Sequence, residues 1–322
     1  MGSQRKNVVG APPGVYVVPV KLLLVDGSYY VYRSFFAIRE LSNSRGEPTN
    51  AIYGFVKALR KMLRDVQPDR AAVLWDDGLP QRRTQLQPEY KQQRSEMPEL
   101  MRPQIAHIRQ IVPLMGVTSL RLPDTEADDL IAAYTCAAEP QGMEVVLATN
   151  DKDLFQLVNE RVRVYSTNKA DFASPKDGFA LLGADYVREK WGVEPGQIGD
   201  VLCLVGDASD NIPGVSGLGP KRAAALIQEF GSIDSLLARV DSIGNEGIRE
   251  KVAGAREQIL SNQEMVRLDT HLALPAPLEE LAICPRYDEL LTALEPWEFQ
   301  SLTAEIRAEA ARLAQPRQGE LF

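Results

Sequence analysis

The sequence predicts an α/β protein, with a parallel sheet covered by helices on both faces and a second, helical domain after it. Three observations carry this. Apolar runs at Leu22 to Val25, Ala71 to Trp75 and Val145 to Ala148 have the length of buried strands, and each is followed closely by an aspartate, Asp26, Asp76 or Asp151. Helical patterns alternate with them at Ala51 to Leu63, Met101 to Met115 and Glu126 to Ala138, an alternation that calls for parallel strands joined by crossovers. After about Ala180 no strand pattern recurs, which places a domain boundary near residue 185.

Taken in order, residues 1–20 read as a flexible leader, with Gly2, Ser3, Gly10, Pro12, Pro13 and Gly14 and no periodicity. The sheet unit then runs from 21 to 185. Gly27 follows Asp26 and lets the backbone turn tightly. The aromatics Tyr29, Tyr30, Tyr32, Phe35 and Phe36 are expected in the core. From 78 to 105 the pattern fails, because Pro80, Pro88, Pro98 and Pro103 punctuate a Gln-rich stretch. A segment of that length without a core face is functional or disordered. Gln81 to Gln110 holds six basic residues against three acidic ones, so it is locally positive. Lys91 and Arg94 share a face if the segment is helical; Tyr90 beside them suits stacking on an unpaired base, although a basic face is also the ordinary dress of a solvated segment. Residues 186–313 form the helical domain and 314–322 a tail.

With 322 residues and 44% apolar content, the chain fits two globular domains. Pro19 and Lys21 interrupt the Val15 to Val25 region, so no stretch suits a bilayer span, and the start has no signal-peptide core. A cytoplasmic monomer without a membrane partner is expected. Cys136, Cys203 and Cys284 lack the spacing of a zinc site or disulfide framework and are expected as buried thiols. His107 and His271 are the only histidines, which leaves no material for a His-based triad or a His-rich metal site. Any catalysis is expected to rest on carboxylates.

Those carboxylates are grouped. Parallel strands put Asp26, Asp76 and Asp151 on one sheet edge, where open α/β folds bind ligands. Glu126, Asp128 and Asp129 open a helix, either as favourable charges at its dipole or as metal ligands, with Glu126 and Asp129 on one face. Asp151 and Asp153 form an Asp-x-Asp that specifies a metal site without specifying a reaction. Asp207 and Asp210 lie in the helical half, so they join the set only if that half folds back over the sheet edge. Nine acids in one place demand cations, and hard divalent metals take oxygen ligands. The net charge of −8, taken as an average, argues against a nucleic-acid partner. Without the nine acids, however, the balance turns slightly positive, and local charge decides polyanion binding. Gly217 and Gly219 allow a tight turn with exposed amides before Pro220, and Lys221 and Arg222 add charge there, a combination suited to a DNA backbone. At the tail, Gln318, Leu321 and Phe322 place two apolar side chains on a polar terminus, as for capture in a partner's groove.

Together, Leu23 to Gly27, Ser44 to Pro48 with Tyr53-Gly54-Phe55, Tyr90-Lys91, Glu126 to Asp129, Asp151 to Leu154 and Gly206 to Gly214 resemble the 5′ nucleases, which include bacterial flap endonucleases and the 5′–3′ exonuclease domain of DNA polymerase I. The resemblance covers about residues 21 to 308. It implies a PIN-like nuclease domain with a helical arch at about 78–105, a helix-three-turn-helix module around Gly214 to Phe230, and two Mg²⁺ ions, with Mn²⁺ as an alternative. The metals would be held, directly or through water, by Asp26, Asp76, Glu126, Asp128, Asp129, Asp151, Asp153, Asp207 and Asp210. Lys91 and Arg94 would meet the scissile phosphate, with Arg33 as a further basic contact. The glycine hairpin would hold K⁺ through backbone carbonyls. Asp77, beside Asp76, departs from the pattern as a competing ligand. No polymerase sequence follows, which implies a stand-alone bacterial form, and the Gln-x-x-Leu-Phe ending resembles the sliding-clamp peptide.

The expected activity is structure-specific 5′ cleavage of DNA with a 5′ flap or 5′ end, or of RNA–DNA hybrid. A non-catalytic DNA-binding scaffold would have lost several of the acids, and a PIN-type ribonuclease needs neither so many acids nor the hairpin.

Overall fold

The computed structural model describes residues 19–174 and 176–314. Residues 1–18 of the leader, and Gln318, Leu321 and Phe322 with the clamp contact expected of them, lie outside the described residues. Six strands, β1 (Lys21–Asp26), β2 (Arg70–Trp75), β3 (Thr118–Arg121), β4 (Glu144–Ala148), β5 (Val162–Ser166) and β6 (Ala180–Leu182), form one sheet in the order β3-β2-β1-β4-β5-β6. The first five are parallel and β6 runs antiparallel to β5. β6 lies where no strand pattern is visible, because three residues on a sheet edge carry too little periodicity to register.

β1 lies between β2 and β4, so the chain leaves it on one side and returns on the other. That reversal opens a crevice at the C-terminal ends of these strands. The helices are α1 (Gly27–Ala37), α2 (Asn50–Val66), α3 (Gln81–Leu86), α4 (Arg102–Leu114), α5 (Ala127–Ala138), α6 (Ala184–Trp191), α7 (Ile198–Val205), α8 (Pro220–Phe230), α9 (Ile233–Ala238), α10 (Glu246–Gly254), α11 (Arg256–Val266), α12 (Tyr287–Leu294) and α13 (Gln300–Ala314).

Alternate side chains of β1 enter opposite cores, as the two-residue period of a strand requires. Leu23 and Val25 join Ile52 and Phe55 of α2 and Ile108 and Val112 of α4. Leu22 and Leu24 join Leu130, Ile131 and Tyr134 of α5, and this core continues without a break into Val201 and Leu202 of α7 and Ile227 of α8. The helical half is therefore cemented to the sheet by shared apolar burial. Residues 186–313, drawn from sequence as one helical unit, are divided in space: α6 to α11 lie on the α5 side, whereas Leu290, Leu294, Leu302 and Ile306 of α12 and α13 join the opposite core. Helical periodicity reports a buried stripe, not the surface that covers it. Among the described residues, no helix is long and apolar enough to cross a membrane.

Two burial expectations need correction. Tyr30 is buried, but Tyr32 and Phe36, one turn apart on the outward face of α1, are exposed, Phe36 by 62%. Cys203 is buried, Cys136 half-buried and Cys284 exposed.

Close packing at the crevice explains Gly27. A Cβ there would lie 2.5 Å from a ring carbon of Trp75. Gly27→Ala should therefore destabilise the fold by about 1–3 kcal/mol through overpacking, read as a lower urea midpoint; an unchanged midpoint would contradict this packing.

Candidate metal centre

Four aspartates meet at the crevice. Asp26 ends β1 and caps α1, its Oδ1 accepting from the Tyr29 amide at 2.9 Å and its Oδ2 from Thr149 Oγ1 at 3.2 Å. Asp76 follows β2 and accepts from the Ala127 amide at 2.8 Å, which fixes the start of α5 beside it. Asp128 stands in the first turn of α5. Asp151, after β4, accepts from the Asp153 amide at 2.8 Å. They line a cavity of about 630 Å³ shared with Lys91, Arg94 and the exposed Tyr32.

A second group adjoins it. Asp153, Asp207 and Asp210 each present an oxygen within 4.8 Å of the others. The helical half thus does fold back over the sheet edge. Its loop is held by extreme closeness: a Cβ on Gly214 would lie 2.0 Å from the Val205 carbonyl oxygen. Lys152 Nζ reaches Asp207 at 2.5 Å, one of the ion pairs that join the two halves.

Burial pushes the Asp26 carboxyl up to about 7, with repulsion from Asp76 and Asp151 adding to it. Asp128 and Asp153 are pushed well above the usual range by burial and then by neighbouring aspartates, and Asp151 is raised chiefly by burial. Asp207 goes the other way: burial opposes ionisation, but hydrogen bonds from Lys152 and Ser209 hold its carboxyl low. One buried oxygen on Asp128 and one on Asp153 have no hydrogen-bond partner. Crowded carboxylates with raised pKa values and orphaned oxygens fit a hard divalent cation.

Glu126 and Asp129 share a face as expected, but that face meets Arg83. This buried guanidinium binds Asp129 at 2.6 and 2.8 Å, also binds Glu126, and donates to the carbonyls of Met265 at 2.9 Å and Arg267 at 3.0 Å. In the sequence Arg83 counts only as one of the six basic residues of Gln81 to Gln110, where nothing separates it from the others. Asp77 turns away toward Arg121, 3.5 Å distant.

The basic residues of the arch face the acids. Lys91 Nζ contacts Glu126 and lies 3.5 Å from Asp210, while Arg94 Nη2 reaches Asp210 at 2.5 Å. The arch is helical at α3 and again only where α4 begins at Arg102. Residues 88–93 form turns and Arg94 a bend, with Lys91 at φ 58°, so Lys91 and Arg94 do not share a helix face. Base stacking by Tyr90 also needs correction, since the ring is only 3% exposed and its hydroxyl lies 3.2 Å from both Glu126 and Asp210. Arg33 bonds Tyr29 and Thr167 and does not line the cavity. Gly217, Gly219, Lys221 and Arg222 are exposed in the hairpin before α8 and the first turn of that helix.

Acids crowded at a switch point, beneath an arm of cations and a helical module bonded into the same cluster, define the class as a PIN-like fold with a candidate divalent-metal centre. Family profiles narrow the class further. The profile for the 5′-3′ exonuclease N-terminal resolvase-like domain matches residues 21–192, and that for the 5′-3′ exonuclease C-terminal SAM fold matches residues 193–289. The chain belongs to the 5′–3′ exonuclease family. It is 36% identical to a 5′-3′ exonuclease of Aquifex aeolicus over 286 residues, 88% of this chain and 94% of that protein. It is 39% identical over 285 residues to a thermostable DNA polymerase I of Thermus thermophilus, covering 88% of this chain but 33% of the polymerase, so it spans about a third of that relative's length. A structure of divalent metal ions (zinc) bound to phage T5 5′-exonuclease shares the fold, with a TM-score of 0.64 at 21% identity over 92% of this chain and 100% of that one.

Removing Arg83 strands two buried carboxylates. Arg83→Met should cost about 3–5 kcal/mol in chemical denaturation, and near-normal stability would show the pair to be dispensable. In EDTA the thermal midpoint should fall from pH 5 to pH 8. The folded chain binds protons at Asp26 up to about 7, whereas the unfolded chain releases them near the ordinary aspartate value, so that stabilisation disappears as pH rises. Asp26→Asn should flatten the fall; a midpoint rising over this range would contradict it.

Proposed function

We propose that this protein is a Mg²⁺-dependent, structure-specific 5′–3′ exonuclease and flap endonuclease, hydrolysing phosphodiesters of DNA, or of RNA–DNA hybrid, near a junction of single and double strands. The observation that carries the reading is the convergence of acids from both halves of the chain on one sheet edge. Asp26, Asp76, Asp128 and Asp151 would hold one ion, and Asp153, Asp207 and Asp210 a second. When bound, such ions activate water and stabilise the leaving oxygen. Mn²⁺ suits the same oxygen donors.

The chain's own groups do the rest. Glu126 and Asp129, neutralised by Arg83, anchor α5 so that Asp128 stays aimed at the cavity. Lys91 and Arg94, leaning over the acids from the arch, meet a phosphate seated there and offset its charge. The exposed hairpin with Gly217, Gly219, Lys221 and Arg222 holds the duplex backbone, so junction geometry rather than base sequence sets specificity. Arg33, exposed beside the crevice on α1, adds a basic contact to the same strand. Sliding-clamp capture by Gln318, Leu321 and Phe322 belongs to this reading and is supported by the sequence of the tail.

The test is a labelled 5′-flap duplex with Mg²⁺. The intact protein should cut near the junction, EDTA and Asp151→Ala should abolish cutting, and Lys91→Ala should slow it by about 10²–10³-fold. Absence of metal-dependent cutting by the intact protein would overturn the proposal.

A further inference from the structure

The hairpin before α8 carries its own cations. Gly217 sits in the left-handed region at φ 75°, and a Cβ there would lie 2.7 Å from Lys251 Nζ, which reaches across from α10. From the first turn of α8, Arg222 Nη1 donates to the Gly217 carbonyl oxygen at 3.2 Å. Two full positive charges therefore rest on one exposed glycine. Among the described residues, neither Lys251 nor Arg222 has a carboxylate within salt-bridge distance, so their charge is not cancelled locally. The amides of Ser216, Gly217 and Gly219 donate to no protein acceptor among the described residues, whereas those of Val215 and Leu218 are used to hold the turn.

This arrangement does not fit a monovalent metal ion bound through the hairpin carbonyls. An ion at Gly217 would compete with Arg222 for the same oxygen and would be repelled by Lys251 close by. We propose instead that Lys251 and Arg222 supply the positive charge of the hairpin from the chain itself, so that it grips a DNA phosphate without K⁺. The inference rests on the DNA-binding reading given above, and it assigns Lys251 a phosphate-binding role.

A bound phosphate would sit over the turn, taking hydrogen bonds from the free amides and charge from both side chains. Because both cations are covalently part of the protein, binding should depend on total ionic strength, through counterion release, and not on which monovalent cation provides it.

The test is fluorescence anisotropy of the full chain on a labelled 5′-flap duplex, with Ca²⁺ present to neutralise the acid cluster. KCl is compared with tetramethylammonium chloride at equal ionic strength. Wild-type Kd should agree within about two-fold between the salts, and Lys251→Met should weaken binding by about ten-fold in tetramethylammonium, as for loss of a phosphate contact. Lys251→Arg should restore it. A wild-type protein that loses binding when K⁺ is withdrawn, or a well-folded Lys251→Met that binds like wild type, would overturn the inference while leaving the nuclease reading intact. No binding in either salt would overturn the nuclease reading itself. The wild-type comparison decides the K⁺ question even if Lys251→Met does not fold.

Discussion

Mutual repulsion among buried carboxylates is the constraint around which this protein is arranged. Left alone, acids so close together would protonate or push the crevice apart. The chain answers with cations of its own at the margins: Arg83 on Glu126 and Asp129, Lys91 and Arg94 on Glu126 and Asp210, and Lys152 on Asp207. At the centre no such answer is given. Among the described residues, Asp26, Asp128 and Asp153 remain without a cationic partner within salt-bridge distance, and one oxygen each of Asp128 and Asp153 has no hydrogen-bond partner at all. The margins are neutralised by ion pairs, and the centre keeps its negative charge for a cation from outside the chain, in line with the metal-binding reading proposed above.

The backbone makes this crowding tolerable. β1 is flanked by the strands that follow it in both directions, so three strand ends deliver aspartates to the same crevice. The shared core of Leu22, Leu24, Leu202 and Ile227 then holds the helical half against the sheet with apolar burial that does not depend on the acids. Around the crevice, Gly27 and Gly214 are two of the points where close packing leaves no room for a side chain.

Much of this was legible in the sequence, and the limits of legibility have physical causes. Asp26, Asp76 and Asp151 could be placed because a buried strand has a recognisable end and parallel strands share an edge. That Asp207 and Asp210 join the other acids follows once the second half is taken to fold back, but their grouping with Asp153 in particular was not legible, because it depends on how closely two loops pack. Directional facts were hidden. Tyr90 looks like an exposed stacking residue beside two cations, yet it points inward, because a turn and not a helix carries it. Arg83 looks like its neighbour Arg82 and differs only in what faces it. The return of α12 and α13 to the α2 and α4 face of the sheet is a long-range choice that a local apolar stripe does not encode.

Arg83 also sets the mechanics of the arch. One guanidinium joins three separate pieces of chain, namely α3, the start of α5 and the C-terminal end of α11 with the residue after it. Its burial makes it a fixed pivot, since withdrawing it would strand charge on both sides. The stretch beyond Leu86 is fastened as well: the buried Tyr90 hydroxyl lies 3.2 Å from Glu126 and Asp210, the Lys91 amide donates to the Asp210 carbonyl at 3.2 Å, and Gln93 Nε2 donates to the Ala208 carbonyl at 2.7 Å. Lys91 and Arg94 therefore ride on a strap tied to both halves of the chain, and a shift of one half against the other is felt at both charges.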